Sequence, residues 1–89
     1  MLSLAYVVEF LGTFLFLSVI VTTAQPLLIA LALLSVLLLG GKISGGHFNP
    51  AVSLMFWVKG ALSNADLLGY MAAQFLGGVG AVLAFQALA

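Results

Sequence analysis

Ser44-Gly45-Gly46-His47-Phe48-Asn49-Pro50-Ala51 is the stretch that decides the fold, because here a strongly apolar chain makes a polar, glycine-containing bend and restarts as a helix. Asn49 is a good N-cap, since its side-chain oxygen accepts from free amides of the first turn, and Pro50 is well tolerated at the first helical position. The helix predicted over 50–58 is short: about nine residues at about 1.5 Å each cover half of a bilayer core of about 30 Å. The sequence therefore predicts a half-helix at this place.

The composition indicates an integral membrane protein. Of the 89 residues, 65% are hydrophobic and 4% are charged, with a mean hydropathy of +1.38, which is far too apolar for a soluble domain of this size. The formal net charge is zero and no basic run is present, so nucleic acid is not an expected partner. The expected partner is the lipid bilayer.

The same composition argues against an enzyme or a cofactor protein. The chain has no cysteine, which excludes disulfides and thiolate metal sites, and one histidine with two acids is too few for a metal cluster. No nucleophile paired with a base and no cofactor motif is present, so neither catalysis nor a cofactor is expected.

Three apolar segments flank the half-helix, at about 2–21, 24–41 and 63–88, and each is long enough to cross a bilayer. The last begins with Ser63 and, three residues on, Asp66, which resembles a capping box. We therefore expect an all-α transmembrane fold of three spanning helices plus one half-helix.

The two lysines predict the orientation. Lys42 and Lys59 both lie in the connection 42–62, and no lysine or arginine lies in the first turn or after the third span. Positive residues favour the cytoplasmic side. The N-terminus and this connection are therefore predicted to be cytoplasmic, and the C-terminus to lie outside.

The third span carries small residues four positions apart on one face, at Gly69, Ala73, Gly77 and Ala81. Such a stripe lets another backbone approach closely. We expect it to form a helix-packing surface.

The bend itself predicts a polar site inside the membrane. Irregular backbone at that depth is tolerated where protein or a water-filled cavity satisfies its polar groups. Gly45 and Gly46 allow conformations that expose carbonyls along one side, and the half-helix aims its positive end at the same region. This arrangement offers hydrogen bonds to a neutral polar molecule and repels cations. The alternative is an ordinary loop followed by a helix lying on the membrane surface.

Glu9 is the acid within the first span, where a carboxylate costs at least about 2.5 kcal/mol and marks a function or a buried partner. One hypothesis is a small dimeric proton-coupled exporter in which Glu9 carries the proton. The structural interpretation, which we prefer, is that Glu9 accepts hydrogen bonds from the amides of the bend or from His47 and braces the loop. A third hypothesis is a membrane packing subunit that transports nothing.

Three motifs together resemble one family. The stretch 44–52 resembles the Asn-Pro-Ala signature loop of the aquaporins and aquaglyceroporins, the major intrinsic protein family, while 9–13 and 73–77 resemble its first-helix and third-helix signatures. They occur in the family's order and cover nearly the whole chain. The resemblance implies that residues 1–89 form a single aquaporin-like repeat whose half-helix is re-entrant.

The resemblance also implies roles for individual residues in a channel for water or small neutral solutes such as glycerol. Asn49 would present its amide to the pore at the membrane midplane. Pro50 and Ala51 would fix the start of the half-helix and meet the same motif of the other half. Glu9 would hold the loop from behind.

The remaining implied roles concern the walls of the pore. Gly45, Gly46 and His47 would present pore-lining carbonyls. Ile29 falls where the family's second helix contributes a side chain to the outer selectivity filter, and it is smaller than the usual aromatic. The resemblance implies that selectivity comes from the diameter of the pore, from the hydrogen-bond acceptors that line it and from an electrostatic barrier to ions.

The chain departs from the family pattern in length. The family's pore is built from two inverted repeats, and this chain contains one; Val52 stands where the second repeat carries an arginine. A second half is therefore an expected partner, in cis or as an antiparallel homodimer or heterodimer, and a higher oligomer of pores is implied. Because the third span stops at Ala89 with no polar tail, we expect this chain to be the N-terminal portion of a longer protein. An antiparallel homodimer would need insertion in both orientations, and the positions of Lys42 and Lys59 weigh against that.

Overall fold

A computed structural model of the protein describes residues 3–89, which form four helices. They are α1 (Leu4–Thr22), α2 (Pro26–Ser44), α3 (Pro50–Val58) and α4 (Asn64–Leu88). Within the described residues, α1, α2 and α4 are long and apolar enough to cross a membrane, and α3, with nine residues, is not. This confirms the all-α transmembrane fold of three spans and a half-helix.

The helix starts follow the capping chemistry of the sequence. Ser3, Asn49 and Ser63 are the N-caps of α1, α3 and α4, and the side-chain oxygen of each accepts a backbone amide two or three positions on. Helix α2 has no such side-chain cap and begins with Pro26, whose ring fixes a helical φ. The predicted start of the first span at residue 2 lies outside the described residues.

Helix α2 continues to Ser44, three residues past the end expected at Gly41. It stops where Gly45 takes a left-handed conformation with φ 89°, and the Gly45 amide donates to the carbonyl of Gly41 at 2.8 Å. Glycine adopts this conformation without the steric cost of a Cβ. The bend is therefore shorter than the sequence indicated, with only residues 45–49 outside helices.

Helix α1 is central, because it packs against both α2 and α4, while α3 packs against α4. The small-residue stripe of α4 faces α1. A Cβ at Gly77 would lie 2.9 Å from the carbonyl oxygen of Phe10, and one at Gly69 would lie 2.2 Å from the ring of Tyr6. Ala73 and Ala81, on the same stripe, are buried.

The outer faces of the spanning helices are apolar and exposed. Leu38 and Leu39 on α2 are 74% and 80% exposed, and Leu68 on α4 is 70% exposed. Contiguous apolar surface of this kind is unfavourable in water and favourable against lipid chains. Among the described residues, the buried polar side chains come instead from all four helices and the bend: Glu9, Thr13, Ser44, His47, Ser53 and Gln74.

Candidate functional site

The bend between α2 and α3 is built from left-handed residues. Gly45, Gly46 and Phe48 have φ angles of 89°, 69° and 53°. Asn49 is extended, with φ −162°, and caps α3. These conformations connect α2 to α3 through five residues, 45–49, and α3 packs against α4.

The carboxylate of Glu9 lies behind the bend and is 0% exposed. Its Oε2 atom accepts from the hydroxyl of Ser44 at 2.6 Å and from the backbone amide of His47 at 3.0 Å. Its Oε1 atom accepts from the amide of Phe48 at 2.7 Å and from Nε2 of Gln74 at 2.9 Å. These donors compensate the cost of burying a carboxylate, and they tie α1, α4 and the bend to one point.

A second buried group, the hydroxyl of Ser53, joins α3 to the same cluster. Ser53 Oγ lies 2.8 Å from Nδ1 of His47 and accepts from Nε2 of Gln74 at 2.8 Å. Among the described residues, Nδ1 of His47 is the acceptor within reach of the serine proton. When Ser53 donates to Nδ1, the ring proton of His47 is on Nε2.

Aromatic rings pack around His47 and the end of α2. The hydroxyl of Tyr70 donates to the carbonyl oxygen of Ser44 at 2.6 Å, which secures the last residue of α2. The ring of His47 stacks on Phe56 with centroids 4.7 Å apart and meets the ring of Tyr70 at 4.9 Å. The orientation of the His47 ring is therefore fixed by packing on both sides and by Ser53.

The bend also carries a second set of polar groups. Gly45, Asn49 and Ala51 are exposed, Gly46 is half-buried and His47 is buried. Within residues 3–89, no protein group donates to the carbonyls of Gly45, Gly46 or His47, and the side-chain amide of Asn49 makes its one hydrogen bond through Oδ1, to the amide of Ala51 at 2.8 Å. The carbonyls are free to accept, and the Asn49 NH₂ group is free to donate.

The structure brings most of the predicted site residues together. Glu9 lies against the bend that contains Gly45 to Ala51, with Pro50 as the first residue of α3. Ile29 lies apart from this cluster: it is half-buried in the first turn of α2, at the opposite end of that helix from Ser44.

Sequence reasoning missed residues that complete the site. Ser53 had a signal, because it is the polar residue within the apolar α3; Tyr70 and Gln74 had another, because they lie four positions apart on one face of α4. Phe48 had none, since nothing in the sequence indicates that a phenylalanine takes a left-handed conformation.

Comparisons with known proteins give matches over nearly the whole chain. A family model described as Major intrinsic protein matches residues 2–89. Glycerol uptake facilitator protein-like 6 of Lactiplantibacillus plantarum is 38% identical over 84 residues, which covers 83% of this chain and 38% of that protein. Aquaporin-8 of Notomys alexis is 47% identical over 90 residues, covering 88% of this chain and 34% of that protein.

Aquaporin Z of Brucella melitensis biotype 1 is 51% identical over 49 residues, covering 55% of this chain and 22% of that protein. The aligned residues amount to between 22% and 38% of the length of these three curated relatives. No solved structure matches the chain.

Proposed function

The chain belongs to the major intrinsic protein family, and from this we propose that it forms one half of a passive transmembrane channel for water or small neutral solutes such as glycerol. It is a channel component and not an enzyme. The relatives it resembles include proteins named as aquaporins and a protein named as a glycerol uptake facilitator.

The observation that carries the proposal is the position of Asn49. It is exposed at the N-terminus of α3, while the residues just before it are held by the fully buried Glu9. A short helix that starts inside a bundle directs its positive dipole end and its N-cap side chain to membrane depth. In the proposed pore, the Asn49 amide donates to the permeating molecule.

The exposed side of the bend supports a neutral permeant. The carbonyls of Gly45, Gly46 and His47 are unpaired acceptors, and Asn49 supplies a donor, so a molecule that both donates and accepts finds partners along this line. The helix dipole at the same point is unfavourable for cations. Ile29 is proposed to contribute to the outer filter, at the far end of α2 from the bend.

The proposal requires a second half. Helix α3 has nine residues, and its N-terminus at Asn49 is proposed to lie within the bilayer, so the pore needs an inverted repeat that faces it. We propose that this half is supplied in cis or by a partner chain, with the lysine-bearing connection 42–62 on the cytoplasmic side and the C-terminus outside. A higher oligomer of such pores is part of the same proposal.

The exporter hypothesis is less well supported. It needs Glu9 to exchange protons and substrate with water, whereas both oxygens of this carboxylate accept hydrogen bonds from protein groups and the residue is 0% exposed. The packing-subunit hypothesis gives no reason for unpaired carbonyls at the bend.

Osmotic light scattering with proteoliposomes tests the proposal. The inserted protein is expected to speed water or glycerol flux without a proton gradient, and the flux is expected to persist when a protonophore collapses any gradient. Flux that appears only with an imposed proton gradient and vanishes in Glu9→Gln favours the exporter. If the protein is verified to be inserted but the vesicles show only background permeability, channel activity by this chain alone is contradicted.

A further inference from the structure

Phe48 occupies an unusual place between the brace and the pore. It is 2% exposed, and its backbone has a left-handed φ of 53°, a conformation that is costly for a bulky side chain. Its amide is bonded to Glu9, and the next residue is the exposed Asn49. A favourable interaction of the side chain must therefore compensate the cost of the left-handed backbone conformation.

The compensation is a seat for the ring between α1 and α2. A Cβ at Gly12 would lie 2.1 Å from Cε1 of Phe48, and one at Gly40 would lie 3.5 Å from Cζ. The ring therefore fills the space that a side chain at Gly12 would occupy and lies in ordinary contact distance of a Cβ at Gly40, where the nearer atom is Cγ1 of Val8 at 2.6 Å. Burial of an aromatic ring is favourable by about as much as one left-handed residue costs, so the two effects are of the same size.

We propose that Phe48 is a positioning residue for the pore: its ring, seated on Gly12 and Gly40, fixes the depth at which Asn49 and the start of α3 lie. This inference rests on the proposed channel function. The left-handed backbone of Phe48 directs the ring towards Gly12 and Gly40, while the adjacent Asn49 stays exposed. We therefore expect a ring that is forced out of this position to shift Asn49 as well. The spacing between α1 and α2 and the position of the Asn49 side chain are thus coupled through the side chain of Phe48.

A double-mutant cycle tests the seat. In Gly12→Ala the added methyl collides with the ring, so Phe48 must leave its position. Phe48→Leu removes the ring atoms Cε and Cζ, and the leucine methyls can rotate away from a new methyl at residue 12. The double variant is therefore expected to recover what Gly12→Ala loses. Gly41→Ala is the matched control, because a Cβ there meets nothing within 4 Å.

Two readouts separate position from stability. The first is water permeability per folded protein, expected to fall about tenfold or more in Gly12→Ala and to return to within about threefold of Phe48→Leu in the double variant. The second does not depend on conduction: the chain has no cysteine, so Ala51→Cys provides a unique thiol at the exposed start of α3. Its rate of modification by a charged, water-soluble thiol reagent is expected to change in Gly12→Ala and to revert in the double variant.

The outcomes distinguish this inference from the channel proposal. If Gly12→Ala lowers only the melting temperature and leaves both readouts unchanged, or if Phe48→Leu does not reverse the changes, the positioning role is wrong. If the parent chain conducts nothing but the labelling rate shifts and reverts as expected, channel activity by this chain alone is contradicted, whereas the positioning role of Phe48 stands.

Discussion

The backbone amide of Phe48 donates a 2.7 Å hydrogen bond to Oε1 of Glu9, a residue 39 positions earlier, in the second turn of α1. This bond ties the start of a half-helix to a spanning helix that also packs on α2 and α4. A re-entrant segment has few interhelical contacts of its own, since α3 packs only against α4 among the described elements. The hydrogen bonds of the Glu9 carboxylate therefore hold the start of α3 against α1, a contact that helix packing does not provide.

Glu9→Gln is expected to destabilise the fold by about 3 kcal/mol or more. The glutamine side chain has one accepting oxygen in place of two, and its NH₂ group would face donors such as the amides of His47 and Phe48. Unfolding in mixed micelles with increasing sodium dodecyl sulfate, followed by circular dichroism, measures the loss.

Asp66→Asn is the matched exchange of acid for amide. Asp66 accepts from the hydroxyl of Tyr6 at 2.7 Å and is only half-buried, so the variant is expected to lose about 1 kcal/mol or less. Equal losses in the two variants would show that Glu9 has no special role in holding the bend.

Ser53→Ala removes the hydroxyl that links His47 to Gln74 and is expected to cost about 1–3 kcal/mol. The reason is that the Nδ1 atom of His47 loses its partner in a buried site. Ser35→Ala is the control, because that hydroxyl is exposed and bonds only to the carbonyl of Leu31 on its own helix. Thermal unfolding in detergent compares the two; a loss in Ser35→Ala as large as in Ser53→Ala would contradict the prediction.

Much of the fold could be predicted because it follows from local rules. Apolar runs of membrane length indicate the spans, and Asn49 with Pro50 indicates the start of α3, which the structure has at Pro50. The end of α2 was predicted less well. Gly40 and Gly41 suggested a stop, but both are helical, and the helix ends where Gly45 takes a positive φ. The sequence alone does not show whether a glycine ends a helix or, like Gly40, lies within a helix and lets a neighbouring side chain approach closely.

The site was harder to predict because its partners are distant in sequence. That a buried Glu9 needs donors follows from its charge, but the choice of Ser44, Gln74 and two backbone amides depends on how three elements pack. The role of Phe48 depends on a backbone angle. No single-sequence pattern contains either piece of information.

The stripe on α4 gives a prediction about helix contact. Gly77→Ala places a methyl 2.9 Å from the carbonyl oxygen of Phe10 and 3.1 Å from the amide nitrogen of Phe14, which are backbone atoms of α1 that cannot turn aside. The expected loss is about 1–3 kcal/mol. In Gly80→Ala the nearest atom is Cδ2 of Phe14 at 3.5 Å, an ordinary contact, so stability is expected to stay the same or rise slightly. Micelle unfolding measures both, and similar losses at the two positions would refute a specific contact at Gly77.

Asn49→Asp is expected to abolish most solute flux while leaving the fold intact. Aspartate caps a helix as well as asparagine does, so the hydrogen bond to the amide of Ala51 is retained. The NH₂ donor, however, is replaced by a charge whose burial at membrane depth costs roughly 2.5–3.5 kcal/mol, so flux should fall about tenfold or more. Asn64→Asp is the control, because Asn64 is exposed in the first turn of α4 and an aspartate there can still accept from Nε1 of Trp57. Stopped-flow light scattering on vesicles with matched protein content compares the two variants with the parent chain, and full flux through Asn49→Asp would mean that this side chain does not face the permeating molecule.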